Sequence, residues 1–307
     1  TTTIRLLGDG SGCIDRILRD AINKGEIRGP RIVAAVQAIR PTHGTAPQIG
    51  VAADGVEEVR YYVRRAISLG ADVIKLFISN ICRGNTYLDY LKGDLTTLPA
   101  YTKEEIEVAV DEAHRYGIKV AAHCLGGPAM TDALNVGVDS IEHANLMDES
   151  IIPLFIKTGA FISDPNLILF FDKDIGFESP HNKTHKWEEL PDWWHQKVYM
   201  ARENTRVVMS KALKAGVKFA LGTDLNHGNL WREAKYFVEE LGASNMQAIS
   251  AITINGAEVC GLEKIVGSIE AGKLADIVAV EGNPLDNIDC LKNIRLVMKE
   301  GIIYYQA

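Results

Sequence analysis

Short apolar runs alternate with amphipathic helical stretches along most of this chain, and no other feature limits its possible folds so tightly. Strand-like runs occupy residues 2–7, 31–38, 72–78, 119–123, 140–143, 161–164 and 218–223. Helical patterns fall between them at 13–24, 56–69, 103–116, 129–136, 149–158 and 203–215. Three of these patterns close on a glycine that also opens the next strand run, at Gly117, Gly159 and Gly216. A left-handed glycine is the expected helix stop at such positions. Strand followed by helix, repeated every roughly 25 to 40 residues, requires parallel pairing with the helices laid over the sheet.

Seven such strands fit either an open doubly wound sheet or a barrel. A doubly wound sheet that holds a dinucleotide carries a GxGxxG turn after its first strand. The segment Gly8-Asp9-Gly10-Ser11-Gly12 lacks that spacing and reads as a glycine-rich loop. The expectation is therefore an α/β chain of the (β/α)8 TIM-barrel type. A barrel needs an eighth strand and the chain opens inside a strand-like run, so the first βα unit is expected to be missing, with 2–7 as barrel strand two. Residues 1–262 are assigned to the barrel, strands two to eight plus helices at 231–241 and 248–260. Residues 263–307 carry strand runs at 275–280, 294–299 and 302–305 and are read as part of a small β-sandwich. So few strands need partners. The stretch 166–192 is the longest without periodicity and holds Phe170, Phe171, Phe177, His181, His185 and Trp187. Loops of that length in a compact domain serve as lids or binding loops, or pack on their own aromatics at the surface.

A net charge of −7 and the absence of a basic run argue against nucleic acid and against anionic lipid as partners. No apolar stretch approaches the roughly 20 residues that span a bilayer. The five cysteines, Cys13, Cys82, Cys124, Cys260 and Cys290, are scattered without CxxC spacing and read as reduced thiols of a cytoplasmic protein. The first residue is Thr1, so a signal peptide removed from a longer precursor is compatible with the sequence. A homo-oligomer is equally compatible.

Four of the strand runs end on a group able to bind a metal: Lys75, His123, His143 and Asp224. The C-terminal ends of barrel strands converge on the mouth where active sites of that fold sit. Two imidazoles, a carboxylate and a lysine suit Zn2+ or a similar borderline ion. Taken singly, each has a plainer explanation. A strand-end histidine is usually a hydrogen-bonded core residue, Asp224 could cap the next helix, and Lys75 could snorkel at the rim. Their coincidence in strand order favours a metal. Lys75 can ligate only after losing its charge or becoming a carbamate; a Schiff-base lysine is the alternative. Such a lysine needs neither the two histidines nor the aspartate.

Longer segments carry a family resemblance. Thr2-Thr3-Ile4-Arg5, Leu18-Arg19-Asp20-Ala21-Ile22, Gly29-Pro30-Arg31, Gly70-Ala71-Asp72-Val73-Ile74-Lys75, Ser140-Ile141-Glu142-His143, Gly222-Thr223-Asp224 and Gly267-Ser268-Ile269-Glu270-Ala271-Gly272-Lys273-Leu274-Ala275-Asp276 together resemble the amidohydrolase superfamily. Within it, the chain is similar to the imidazolonepropionase-like and prolidase-like branch of metal-dependent dipeptidases and N-acyl-amino-acid hydrolases. The resemblance implies two divalent ions, bridged by a CO2-derived carbamate on Lys75. It makes His123 and His143 ligands of the second ion, and Asp224 a ligand of the first and the proton carrier. The family's His-x-His pair has no counterpart in this sequence, and absent preceding residues are the reading adopted. His227 resembles a substrate or oxyanion contact, and His43 a second mouth-facing histidine. Arg83, Tyr87 and Lys183 are candidates to hold a substrate carboxylate.

The function expected is hydrolysis of amide bonds in small substrates such as dipeptides or N-acyl amino acids, with metal-activated hydroxide as the nucleophile. Two alternatives stay open: a hydrolase of cyclic amides, ureas, carbamates or lactones on the same scaffold, and a catalytically inactive binding paralogue.

Overall fold

The computed structural model describes residues 1–8, 13–82, 98–182, 186–224 and 227–307. The chain divides into two compact units, Thr1–Glu142 and His143–Ala307.

In the first unit, β1 (Thr3–Leu6) pairs in parallel with β2 (Arg31–Ala34). The strand run expected over 31–38 is broken. β2 stops at Ala34 and β3 begins only at Ala38, continuing to Arg40. Val36, between them, has a φ of 65°, a costly conformation for a β-branched residue. Its N–H is taken by the buried carboxylate of Asp15 at 2.8 Å, from the helix Ile14–Asn23. The short strand β4 (Gly50–Ala52), not read from the sequence, pairs in parallel with β3. β5 (Val73–Phe77) pairs with β3 and with β6 (Lys119–Gly126). Asp72, just before β5, ties that strand to β2: its N–H donates to the Ala34 carbonyl at 2.8 Å and its carboxylate accepts from the Ala34 N–H at 3.0 Å. Arg19 holds the same carboxylate at 2.6 Å.

Helices Gly55–Ser68, Lys103–His114 and Pro128–Val136 follow the strands as the pattern requires. The second begins with a capping box, in which Thr102 and Glu105 satisfy each other's backbone N–H. Ile39, Val59, Val63, Ile74, Leu76, Ile106 and Ala121 are fully buried, so the core lies between strands and helices. Arg5 of β1 donates to both carboxylate oxygens of the buried Glu142 at 2.9 Å and to Ser140 Oγ at 3.1 Å.

The strand β7 (Ser140–Leu146) carries the chain into the second unit. There β8 (Phe161–Ser163) pairs in parallel with β9 (Lys218–Ala220). Strands β3 to β9 make a seven-stranded sheet in the order β4-β3-β5-β6-β7-β8-β9. The helix expected over 203–215 starts earlier: Asp192–Asn204 runs through a π-type turn, Thr205–Met209, into Ser210–Ala215. Gly216 then stops it at a φ of 92°. The expected helix over 248–260 is two, Asn245–Ile252 and Ile254–Val259, parted where Thr253 departs from helical dihedrals. Phe219 and Phe237 stack with centroids 5.3 Å apart in this unit's core. At the C-terminus β10 (Ile277–Val280), β11 (Ile294–Lys299) and β12 (Ile302–Gln306) form an antiparallel sheet, as the strand runs there anticipated. No described helix is long and apolar enough to cross a membrane.

Candidate functional site

Parallel register places Lys75 opposite Ala121 and Phe77 opposite His123. Side chains two residues apart share a face of a strand, so Lys75, Phe77, Ala121 and His123 lie on one face of the β5–β6 pair. The ring of Phe77 lies against both polar groups, 5.0 Å from Lys75 Nζ and 5.2 Å from the His123 ring centre. Both polar residues are buried. They sit within their strands rather than at the last residue, because each strand continues past them to Phe77 and Gly126.

His123 Nε2 lies 3.1 Å from the side-chain oxygen of Asn80, which also accepts from Ser79 Oγ at 2.9 Å. A metal held by this imidazole would be taken through Nδ1. In the second unit His143, also buried and at a φ of 77°, is held from the opposite ring atom. Its Nδ1 lies 3.0 Å from the Asp164 carbonyl and 2.7 Å from Asn166 Nδ2. Nδ1 cannot at once donate to the carbonyl and accept from the amide NH2. With hydrogen on Nδ1 it donates to Asp164, and the Asn166 amide must turn its oxygen toward the ring; Nε2 is then the ligating atom. Asn166 Oδ1 has no partner as placed among the described residues, and once turned it shares the Nδ1–H with the Asp164 carbonyl. A metal-bound histidine is usually oriented in this way, by giving its other ring N–H to a carbonyl or carboxylate. The chemistry of these donors therefore fits a divalent ion at each imidazole.

Asp164 and Asn166 both take left-handed backbone, at φ 46° and 57°, and Gly222 passes so close that a Cβ there would lie 2.9 Å from Asp164 Cβ. Asp224 is exposed in a turn at a φ of 44°, four residues beyond the end of β9. His227 is exposed as well. Glu233, on the helix Leu230–Leu241, is buried and accepts the N–H groups of Leu167 and Ile168 at 3.1 and 2.9 Å. Burial pushes its carboxyl up to about 8, against the two hydrogen bonds that favour the charged form, and the charge of Asp224 adds to the rise.

His43 is exposed; its carbonyl accepts from the Cys82 N–H at 2.8 Å, and Thr45 N–H donates to the Asn80 carbonyl at 3.1 Å, which ties the His43 loop to the end of the lysine strand. Arg83, Tyr87 and Lys183 lie outside the described residues. Among the described residues no three His, Cys, Asp or Glu side chains are gathered as a metal cluster; Lys75, which ligates only as a carbamate, is not of those types. Sequence reasoning missed Asn80, Asn166 and Glu233. Nothing in the local pattern marks a buried amide beside a histidine that is distant in the chain.

Parallel strands with covering helices and an antiparallel C-terminal sheet define an α/β, TIM-barrel-like fold, shared with solved hydrolase structures. The chain belongs to the Amidohydrolase family, whose profile matches residues 1–303. It is 30% identical to the ochratoxinase of Aspergillus niger over 94% of its own length and 62% of that protein, so it spans less than two thirds of that curated relative. A crystal structure of a Xaa-Pro dipeptidase with bound methionine in its active site superposes with a TM-score of 0.83 at 34% identity, over 100% of this chain and 75% of the other. The crystal structure of the A. niger ochratoxinase gives a TM-score of 0.82 at 27% identity, over 99% of this chain and 72% of that one. These neighbours agree with the prolidase-like branch.

Proposed function

We propose that the protein hydrolyses amide bonds of small substrates, dipeptides or N-acyl amino acids, using two divalent ions held by Lys75 as its carbamate, His123, His143 and Asp224. On this reading residues 1–262 form the catalytic barrel and 263–307 part of a small β-sandwich. The observation that carries the proposal is the manner in which the two imidazoles are held. Each is buried on a strand, with one ring nitrogen engaged by a carbonyl or amide and the other suited to a metal. A lone core histidine needs no such opposed arrangement. The family and its dipeptidase-like neighbours support the same reading.

Bound there, the ions supply Lewis acidity, polarising the scissile carbonyl and acidifying water. The chain does the rest. Asn80 and the Asp164 carbonyl fix which nitrogen of each imidazole can ligate. Asp224, on an exposed turn, has a carboxylate able to accept a proton and pass it to the leaving amine. His227 contacts the substrate or the developing oxyanion, and His43, Arg83 and Tyr87 contact its polar ends. The narrower claim, dipeptides and N-acyl amino acids over cyclic amides, ureas, carbamates or lactones, rests on the prolidase-like neighbours. It is tested by offering both groups to the full-length protein. Turnover of the first group is expected; turnover confined to the second would overturn the substrate class while leaving the hydrolase.

A further inference from the structure

We infer that Asn80 is a positioning residue, which sets the tautomer of His123 and so the ring nitrogen that meets a metal; the inference rests on the metal reading of His123. Asn80 is completely buried, three residues past the end of β5, in left-handed backbone at a φ of 74°. Asparagine is among the few residues that tolerate that conformation. A line of hydrogen bonds ends on its side-chain oxygen. The Leu125 N–H of β6 donates to Ser79 Oγ at 3.3 Å, Ser79 Oγ donates to Asn80 Oδ1 at 2.9 Å, and the same oxygen stands 3.1 Å from His123 Nε2. With Ser79 Oγ already accepting from Leu125, its proton is directed at the amide oxygen. That oxygen therefore faces the imidazole as an acceptor, and His123 must carry its proton on Nε2.

The other half of the amide sharpens the argument. Asn80 Nδ2 is buried and has no partner among the described residues. A buried NH2 without an acceptor is unfavourable, so an apolar side chain would suit the packing better unless the oxygen is needed. The backbone of Asn80 is satisfied independently, through Leu98 and Thr45. Among the described residues, the side chain engages only its neighbour Ser79 and His123.

Two variants separate this role from the strain of the backbone. Asn80→Gly accepts the left-handed conformation and removes the amide; Asn80→Asp keeps both the conformation and an acceptor oxygen. The first readout needs no metal: nitrogen-15 NMR of the imidazoles in the metal-free full-length protein, with His123→Gln to assign the signal. Wild type and Asn80→Asp should show His123 protonated at Nε2, and Asn80→Gly should lose that preference. The second readout is the Zn2+ dissociation constant by competition with a chromophoric chelator. It should rise by about 10- to 100-fold in Asn80→Gly and return toward the wild-type value in Asn80→Asp. A His123 tautomer unchanged by Asn80→Gly overturns the inference whether or not the protein binds metal. Failure of wild type to bind Zn2+, with the tautomer shift present, overturns the metal reading alone.

Discussion

Asp224 sits at a φ of 44° on an exposed turn, a conformation that aspartate tolerates and β-branched residues do not. The neighbouring Gly222 is forced by contact: a Cβ there would press on Asp164, whose carbonyl holds His143. In the proposed role of ligand and proton carrier, Asp224 should matter more to turnover than to substrate affinity. Asp224→Asn keeps the shape and removes the base, so kcat should fall by a factor on the order of 10^2 to 10^4, with metal content measured alongside. A fully metallated variant with near-normal kcat would move the proton transfer to another group, His227 first.

At the scale of elements, the segment 166–192 is where structure and sequence reading differ most. It is not without secondary structure. Leu167–Phe171 is a short helix, Trp187–Glu189 a 3-10 turn, and the aromatics pack inward. Phe171, Phe177 and Trp187 pack on Phe170, Val198 and Ala201, and Trp187 stacks on His195 at 4.3 Å and meets Tyr199 at 5.9 Å. Arg232 holds Asp172 at the segment's base at 2.5 Å; burial would raise that carboxyl, but the guanidinium and the N–H groups of Asp174 and Ile175 together keep it below the usual range. Replacing Trp187 or Phe171 by Ala should therefore lower stability, by about 1–3 kcal/mol for half-buried aromatics, and alter relative kcat/KM across substrates while metal content is unchanged. An equal loss of kcat/KM on every substrate would show that the segment is a scaffold without a part in specificity. The alternation that forecast β5 to β9 was legible because those strands are largely buried; the C-terminal strands showed as apolar runs although they are mostly exposed, β12 throughout. The break at Val36 was not, since it depends on Asp15 reaching it from 21 residues upstream. Lys75, His123 and His143 could be read from their place on apolar strands. Asn80 and Asn166 could not, because asparagine after a strand signals only a turn.

For the molecule as a whole, stability should carry the mark of Glu233. Its carboxyl titrates at about 8 in the fold against 4.5 unperturbed, so the folded state binds the extra proton between those values. The sign is that of a raised acid: its contribution is complete below the unperturbed pKa and is lost as pH rises through the folded one. Unfolding free energy of the metal-free protein should fall by on the order of a few kcal/mol from pH 5 to pH 9, and Glu233→Gln should flatten that slope. The level is no guide, because the amide has one acceptor oxygen for two N–H groups. An unchanged slope would assign the titration elsewhere. The central claim, that this chain is the core of a metal-dependent amide hydrolase built around Lys75, is tested most directly on the full-length protein. Metal content and hydrolysis of a dipeptide and N-acyl-amino-acid set should be measured together, before and after chelation, for wild type and Lys75→Ala. The account predicts two ions per chain, activity lost with the metal and regained on its return, and a Lys75→Ala protein that is nearly inactive and partly rescued by short carboxylic acids. Full activity in Lys75→Ala with unchanged metal content, or hydrolysis that persists after the metal is removed, would contradict it.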